Sequence, residues 1–80
     1  MSEKNIEKTV LTSIAEFLGV TEEDVVLEDS LRDDLRMNTA AITDYMEKLK
    51  EMGFNIDDVE IENIDTIGEL VDILALETDL

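Results

Sequence analysis

The sequence has 80 residues, 44% of them hydrophobic, and a formal net charge of −16 from 22 acidic and 6 basic residues. This length fits a single domain over residues 1–80 with a modest core. The charge excludes nucleic acid and anionic membranes as favourable partners, because their phosphates would be repelled, and it favours a basic protein surface. The chain has no histidine and no cysteine, so we expect neither a metal site nor an enzyme.

No apolar run approaches the length of a membrane span, and the first five residues carry no signal-peptide core. We therefore expect a cytoplasmic monomer that does not insert into membranes. Residues 51–80 contain ten acidic residues and no basic one. This clustering predicts self-repulsion at low salt, which salt or divalent cations relieve.

The first predicted element is an amphipathic helix over residues 6–18. Its apolar side chains recur at helical spacing, at Ile6, Val10, Ile14, Phe17 and Leu18. Gly19 suits the left-handed position just past the helix end. Residues 21–24 resemble a capping box for a short turn. Val25 and Leu27 are expected to pack inward from the long connection that follows.

A second helix is predicted to begin near Asn38 or Thr39, since both residue types are good N-caps. Its apolar stripe is Ile42, Tyr45, Met46, Leu49 and Met52. Gly53 is expected to end this helix, and Phe54 and Ile56 to return to the core.

The last predicted helix opens with a capping box formed by Thr66 and Glu69, after a short turn around Val59 to Ile61. Its buried face is Ile67, Leu70, Val71 and Leu74. Residues 77–80 are expected to fray. No strand alternation persists, so the pattern predicts an all-α fold of three main helices and one short helix, with a long first loop.

Residues 30–40 resemble the segment that leads into the second helix of acyl carrier proteins. That family usually reads Ser-Phe/Leu, two variable residues, Asp/Glu-Leu-Gly, one variable residue, then Asp-Ser-Leu, whose serine carries a phosphopantetheine arm. Here residues 30–35 keep the frame. The positions of the family's glycine, aspartate, serine and leucine are filled by Arg36, Asn38, Thr39 and Ala40.

Further segments extend the resemblance over roughly residues 6 to 76: Leu18-Gly19-Val20, Phe54-Asn55-Ile56 and residues 64–70. The resemblance implies an acyl-carrier-like four-helix bundle whose core opens to take an acyl chain. It also implies a carrier of fatty-acid, polyketide or related thioester biosynthesis, with an acidic surface that docks on basic patches of synthases and transferases.

By the same resemblance, Thr39 occupies the attachment position for 4'-phosphopantetheine. Threonine keeps a hydroxyl at a helix N-terminus, where backbone amides and the helix dipole help to hold a phosphate, although it is a hindered secondary alcohol. Alternatively, Asn38 and Thr39 merely cap the helix, and the protein is an unloaded interaction or regulatory protein that binds a basic partner. Ser30, in the literal triplet Asp29-Ser30-Leu31, is a second attachment candidate, but a helix beginning there has no sustained apolar stripe.

The second helix of the family is rich in acidic residues that meet basic partner surfaces. The resemblance therefore predicts partner contacts from Asp44, Glu47, Glu51, Arg36 and Met37. Lys48 and Lys50 dilute this acidic face. Either the lysines form pairs within the helix, such as Asp44 with Lys48, or the set of partners has changed.

Overall fold

The computed structural model describes the backbone of residues 3–56 and 59–77. Three α-helices, α1 (Glu3–Leu18), α2 (Thr39–Glu51) and α3 (Ile67–Glu77), are joined by connections that contain single 3₁₀ turns at Glu22–Asp24 and Ile61–Asn63. The described ranges hold no strand, only an isolated antiparallel bridge between Ser30 and Thr66. The predicted all-α fold is confirmed. Of residues 77–80, which were predicted to fray, Glu77 is the last residue of α3 and residues 78–80 lie outside the described residues.

Helix α1 starts three residues earlier than predicted, because apolar spacing marks only the buried part of a helix and polar residues can extend it. Gly19 adopts φ 75°, as expected just past the helix end. The turn at residues 22–24 is present, but its predicted capping box is wrong. The Thr21 hydroxyl donates to the Asp24 carboxylate at 2.9 Å instead of accepting from the backbone.

The long connection between α1 and α2 is fastened to the start of α3 by backbone hydrogen bonds. The amide of Leu31 donates to the Asp65 carbonyl at 2.8 Å, and the amide of Ile67 to the Asp29 carbonyl at 3.1 Å. The Gly68 amide donates to the Leu27 carbonyl at 2.9 Å, and an added Cβ at Gly68 would lie only 3.3 Å from that oxygen. The bonds of Ile67 and Gly68 satisfy amides in the first turn of α3, which have no partner within their own helix.

One apolar core lies between the helices and the first connection. Most of the predicted apolar residues of the three helices are buried in it: Ile6, Val10, Ile14, Ile42, Tyr45, Met46, Leu49, Ile67, Leu70, Val71 and Leu74. Val25 is buried with them, and Leu27 packs against them half-buried, as predicted. Phe17 and Leu18, also predicted for the first helix, pack against this core half-buried. Met52 does not belong to the stripe, since it is the C-cap of α2 and its side chain is 42% exposed. The chain reverses there at Gly53, whose φ is 101°.

The N-terminus of α3 carries the predicted reciprocal capping box. The Thr66 amide donates to Glu69 Oε1 at 3.3 Å, and the Glu69 amide donates to Thr66 Oγ1 at 3.2 Å. The preceding 3₁₀ turn covers Ile61–Asn63 and not Val59 to Ile61. The Asn63 side chain closes it by donating to the Glu60 carboxylate at 2.7 Å. None of the helices in the described ranges has the length and apolar character to cross a membrane.

Candidate functional site

The segment before α2 forms a closed loop held by its own backbone. The amides of Asp34 and Leu35 both donate to the Ser30 carbonyl at 3.0 Å, and the Met37 amide donates to the Leu31 carbonyl at 2.9 Å. Leu31 and Met37 are buried, with 0% and 3% exposure. The two ends of the loop are therefore anchored in the core, and the residues between them face outward or lie half-buried.

Arg36 lies in this loop with φ 55°, the one positive φ outside glycine among the described residues. This is the position at which the family resemblance has glycine, and the loop still takes the backbone conformation that favours glycine. The turn at Arg36 directs Met37 into the core. The side chain of Met37, which was predicted to contact a partner, is 3% exposed and packs in the core of this structure, so it is not part of the surface that the other predicted partner residues form.

Asn38 is the N-cap of α2. Its Oδ1 accepts a hydrogen bond from the Ala41 amide at 2.8 Å, and its carbonyl accepts from the Ile42 amide at 3.0 Å. Asn38 has extended backbone angles, and the helix begins one residue later at Thr39. Of the two residues predicted as caps, only Asn38 serves as one.

Thr39 is exposed in the first turn of α2. Its hydroxyl oxygen accepts a hydrogen bond from Arg32 Nη1 at 3.2 Å. Among the described residues, the backbone amides of Thr39 and Ala40 have no protein acceptor. A hydroxyl, two open amides and a guanidinium at a helix N-terminus form a donor set suited to a phosphate group. These residues fit the phosphate of a phosphopantetheine arm.

A groove of about 380 Å³ lies between Thr39 and the segment around the second 3₁₀ turn. It is lined by Thr39, Val59, Glu60, Ile61 and Glu62. Val59 and Ile61 are half-buried against the core, whereas Glu60 and Glu62 are exposed. The groove thus offers apolar surface with acidic residues beside Thr39.

Ser30 lies in a different environment. It is 8% exposed, its hydroxyl donates to Asp65 Oδ1 at 2.9 Å, and the same oxygen accepts from the Asp33 amide at 3.1 Å. Its own amide donates to Asp34 Oδ2 at 2.7 Å. The side chain of Ser30 therefore joins the loop to the start of α3, and it lies outside any helix.

The predicted partner residues Arg36, Asp44, Glu47 and Glu51 are all exposed. Of the two explanations for the lysines, the example of pairing within the helix, Asp44 with Lys48, is not formed. Lys48 Nζ lies 3.9 Å from Glu16 Oε2 of α1. This cross-helix pair leaves the carboxylate of Asp44 without a cation within salt-bridge distance among the described residues.

The position of α2 against α1 depends on a buried polar contact that the sequence did not suggest. Tyr45 Oη lies 2.7 Å from Ser13 Oγ and donates to the Val10 carbonyl at 3.2 Å. The Phe17 ring stacks against Tyr45 in a tilted arrangement, with centroids 5.5 Å apart. Burial raises the pKa of Tyr45 to about 12, and the hydrogen bond with Ser13 partly offsets that rise.

The contact between Arg32 and Thr39 was also missed. Periodicity does not reveal it, because the two residues lie seven positions apart across an irregular loop. The only available signal is a basic residue inside an otherwise acidic segment that approaches a helix N-terminus.

Comparison with known proteins identifies the family. Residues 8–74 match the family model described as a phosphopantetheine attachment site. The chain is 37% identical over 71 residues to an acyl carrier protein of Thermotoga maritima, with 88% of each chain covered. It is 31% identical over 77 residues to that of Acidothermus cellulolyticus, covering 90% of this chain and 92% of the relative.

A third relative, the acyl carrier protein of Saccharopolyspora erythraea, is 28% identical over 74 residues, or 91% of this chain and 78% of its own. These relatives are carriers, which confirms the prediction that the chain is not an enzyme, and the matched family model agrees with 4'-phosphopantetheine as a cofactor that it could bear. The chain belongs to the acyl carrier protein family, because the family model covers most of its sequence and these relatives, all acyl carrier proteins, align along most of its length.

Proposed function

We propose that this protein carries thioester-linked cargo on a 4'-phosphopantetheine arm attached to the Thr39 hydroxyl. One observation carries the proposal: Asn38 supplies the helix cap, so the exposed Thr39 hydroxyl in the first turn of α2 is not used for capping. A residue that merely capped the helix would direct its oxygen at the backbone amides.

The chemistry of attachment requires little from the carrier beyond a positioned hydroxyl. Thr39 Oγ1 forms a bond to the phosphorus that bears the pantetheine group of coenzyme A, and the bond from that phosphorus to 3',5'-ADP breaks. The hydroxyl proton passes to a basic group of the transferase. The amides of Thr39 and Ala40 would hold the phosphodiester, and Val59 and Ile61 of the neighbouring groove would offer apolar surface to the arm. The thiol of the arm, when present, supplies the thioester bond.

Acyl carrier proteins interact with synthases and transferases, and we propose that α2 is the contact surface here. Asp44, Glu47 and Glu51 are exposed along it, and basic partner patches would complement them. We further propose one domain over residues 1–80, acting as a monomer in the cytoplasm.

The proposal is tested by intact-protein mass spectrometry after incubation with coenzyme A and a broad-specificity phosphopantetheinyl transferase. We expect one mass increment of a phosphopantetheine group, which Thr39→Ala abolishes and Ser30→Ala retains. Absence of the increment in the natural protein, together with its presence in Thr39→Ser, would contradict the proposal.

A second function, an unloaded interaction or regulatory protein, is favoured by the residues around Thr39. Arg36, Asn38 and Ala40 all depart from the family pattern, whereas the acidic residues of α2 remain exposed. This function predicts no increment in either the natural protein or its Thr39→Ser variant. It also predicts binding to a basic partner that weakens when Asp44 and Glu47 are replaced by asparagine and glutamine.

A further inference from the structure

We propose that Arg32 is a positioning residue for the transfer of a phosphoryl-linked group to Thr39. The inference rests on the proposed function, since it concerns the same hydroxyl. Its basis is the hydrogen bond of 3.2 Å from Arg32 Nη1 to Thr39 Oγ1. No other side chain among the described residues donates to this oxygen.

The loop holds the backbone at Arg32 in place through the two residues that precede it, Ser30 and Leu31, and through the Asp33 amide, which donates to Ser30 Oγ at 3.1 Å. Leu31 is completely buried, and its amide and carbonyl bond to Asp65 and Met37 at 2.8 and 2.9 Å. The carbonyl of Ser30 accepts two further hydrogen bonds, from the amides of Asp34 and Leu35. The backbone that carries Arg32 is therefore fixed, and only its side chain must order to reach Thr39.

The hydrogen bond leaves Thr39 ready for reaction. A hydroxyl has two lone pairs, and the guanidinium occupies one of them, so the other remains for bond formation to phosphorus. Threonine is stiff about χ1, and the donor selects one of its few rotamers. The permanent positive charge stabilises the negative charge that develops on Oγ1 as its proton leaves to the transferase, and later the phosphodiester.

Asn38 contributes to this arrangement through its lack of charge. An aspartate at the helix cap, as in the family pattern, would place a carboxylate beside Thr39 that competes for the guanidinium. The neutral amide of Asn38 caps Ala41 without that competition. Arg32 therefore keeps the Thr39 hydroxyl as its side-chain acceptor.

The first measurement compares initial rates of loading in Arg32→Ala, Arg32→Lys and Lys8→Ala. Arg32→Ala should load about ten-fold more slowly, as expected for loss of a charged donor, and Arg32→Lys should recover part of the rate. Lys8→Ala removes the same charge. Lys8 lines a cleft with Lys48 and Met52, near the opposite end of α2 from Thr39. The Lys8→Ala variant should therefore load at the same rate as the natural protein.

The second measurement needs no loading. Three-bond couplings across the χ1 torsion of Thr39 should report one rotamer in the unloaded natural protein and in Lys8→Ala, and averaged rotamers in Arg32→Ala. After loading, the phosphorus-31 chemical shift of the phosphodiester should move in Arg32→Ala and stay constant in Lys8→Ala.

Repeating the rate comparison in a Thr39→Ser background separates this inference from the proposed function. If the natural protein takes up no group but Thr39→Ser does, the proposed function fails while the effect of Arg32 is still measured on the serine. Equal rates for Arg32→Ala and Lys8→Ala, or unchanged χ1 couplings, would overturn the role of Arg32. Failure of both backgrounds to load would overturn both proposals.

Discussion

Arg36 shows at the scale of one residue how this loop keeps a glycine-like conformation with a different side chain. Its φ of 55° lies in the left-handed region, which costs a residue with a Cβ atom of the order of 1 kcal/mol. The side chain itself is exposed, so nothing in the core requires an arginine here. The free-energy cost therefore arises from the backbone conformation at Arg36.

We expect Arg36→Gly to be more stable than Arg36→Ala by about 0.5–1 kcal/mol. Both variants remove the same charge, so the difference isolates the backbone term. Urea unfolding followed by circular dichroism measures it. Equal stability of the two variants would show that the left-handed conformation is not strained in solution.

Tyr45 provides a second prediction at the residue scale, because its phenol is fully buried and its pKa is raised to about 12. A phenol in the unfolded chain loses its proton near pH 10, whereas the folded protein keeps it. Above pH 10 the unfolded state therefore binds fewer protons, and stability falls as pH rises toward 12. The loss amounts to about 2–3 kcal/mol over this interval.

The chain has one tyrosine and no tryptophan, so tyrosinate absorbance reports Tyr45 alone. We expect its titration midpoint well above 10 in the folded protein and near 10 in urea. Tyr45→Phe should lack the alkaline loss in unfolding free energy that the buried phenol causes. A midpoint near 10 in the folded protein would mean that the phenol reaches solvent.

At the scale of the element, α2 depends on a cap that is separate from its candidate attachment residue. Asn38→Ala should lower the free energy of unfolding by about 1 kcal/mol, because the Ala41 amide loses its acceptor. Thr39→Ala loses only an exposed hydrogen bond from Arg32, and alanine has the higher helix propensity.

We therefore expect Thr39→Ala to be within about 0.5 kcal/mol of the natural protein. Thermal and urea unfolding of the two variants side by side provide the comparison. If Thr39→Ala were the more damaging change, Thr39 and not Asn38 would be the effective cap. The attachment proposal would then lose its main support.

Helix positions were predictable because the signals for them are local. Apolar spacing located all three helices, the cap residue types Asn38 and Thr39 located the start of α2, and the pair Thr66 and Glu69 located that of α3. The capping box predicted at Thr21 failed although its signal is local, and another error falls where a local signal ends. Met52 continues the apolar period of α2, but the helix ends there and the side chain faces solvent at 42% exposure.

At the scale of the whole molecule, the net negative charge affects stability. A net charge of −16 is confined to a body with a radius of gyration of 11.4 Å, and the described residues contain a single ion pair, between Lys48 and Glu16. Acidic side chains therefore repel one another across the entire protein at low ionic strength, where the Debye length of about 30 Å at 0.01 M exceeds its radius.

Raising sodium chloride from about 10 to 200 mM should increase the melting temperature by several degrees, as expected for about 1 kcal/mol of relieved repulsion. Choline chloride at equal ionic strength should act equally if screening is the cause. A marked difference between the two salts would indicate specific sodium binding. A melting temperature independent of salt would contradict the prediction.

Local sequence patterns and composition were enough to predict the approximate positions of the three helices, the capping box of α3, the family resemblance and the acidic surface. Each of these depends on residue types a few positions apart or on composition alone. The burial of Met37, the bond between Tyr45 and Ser13, and the contact of Arg32 with Thr39 become visible only in the folded chain. The first and third arise because the first connection is fastened to the start of α3 and turns at Arg36, whereas Tyr45 meets Ser13 because α2 packs against α1. Such contacts depend on packing between distant segments, which no local pattern specifies.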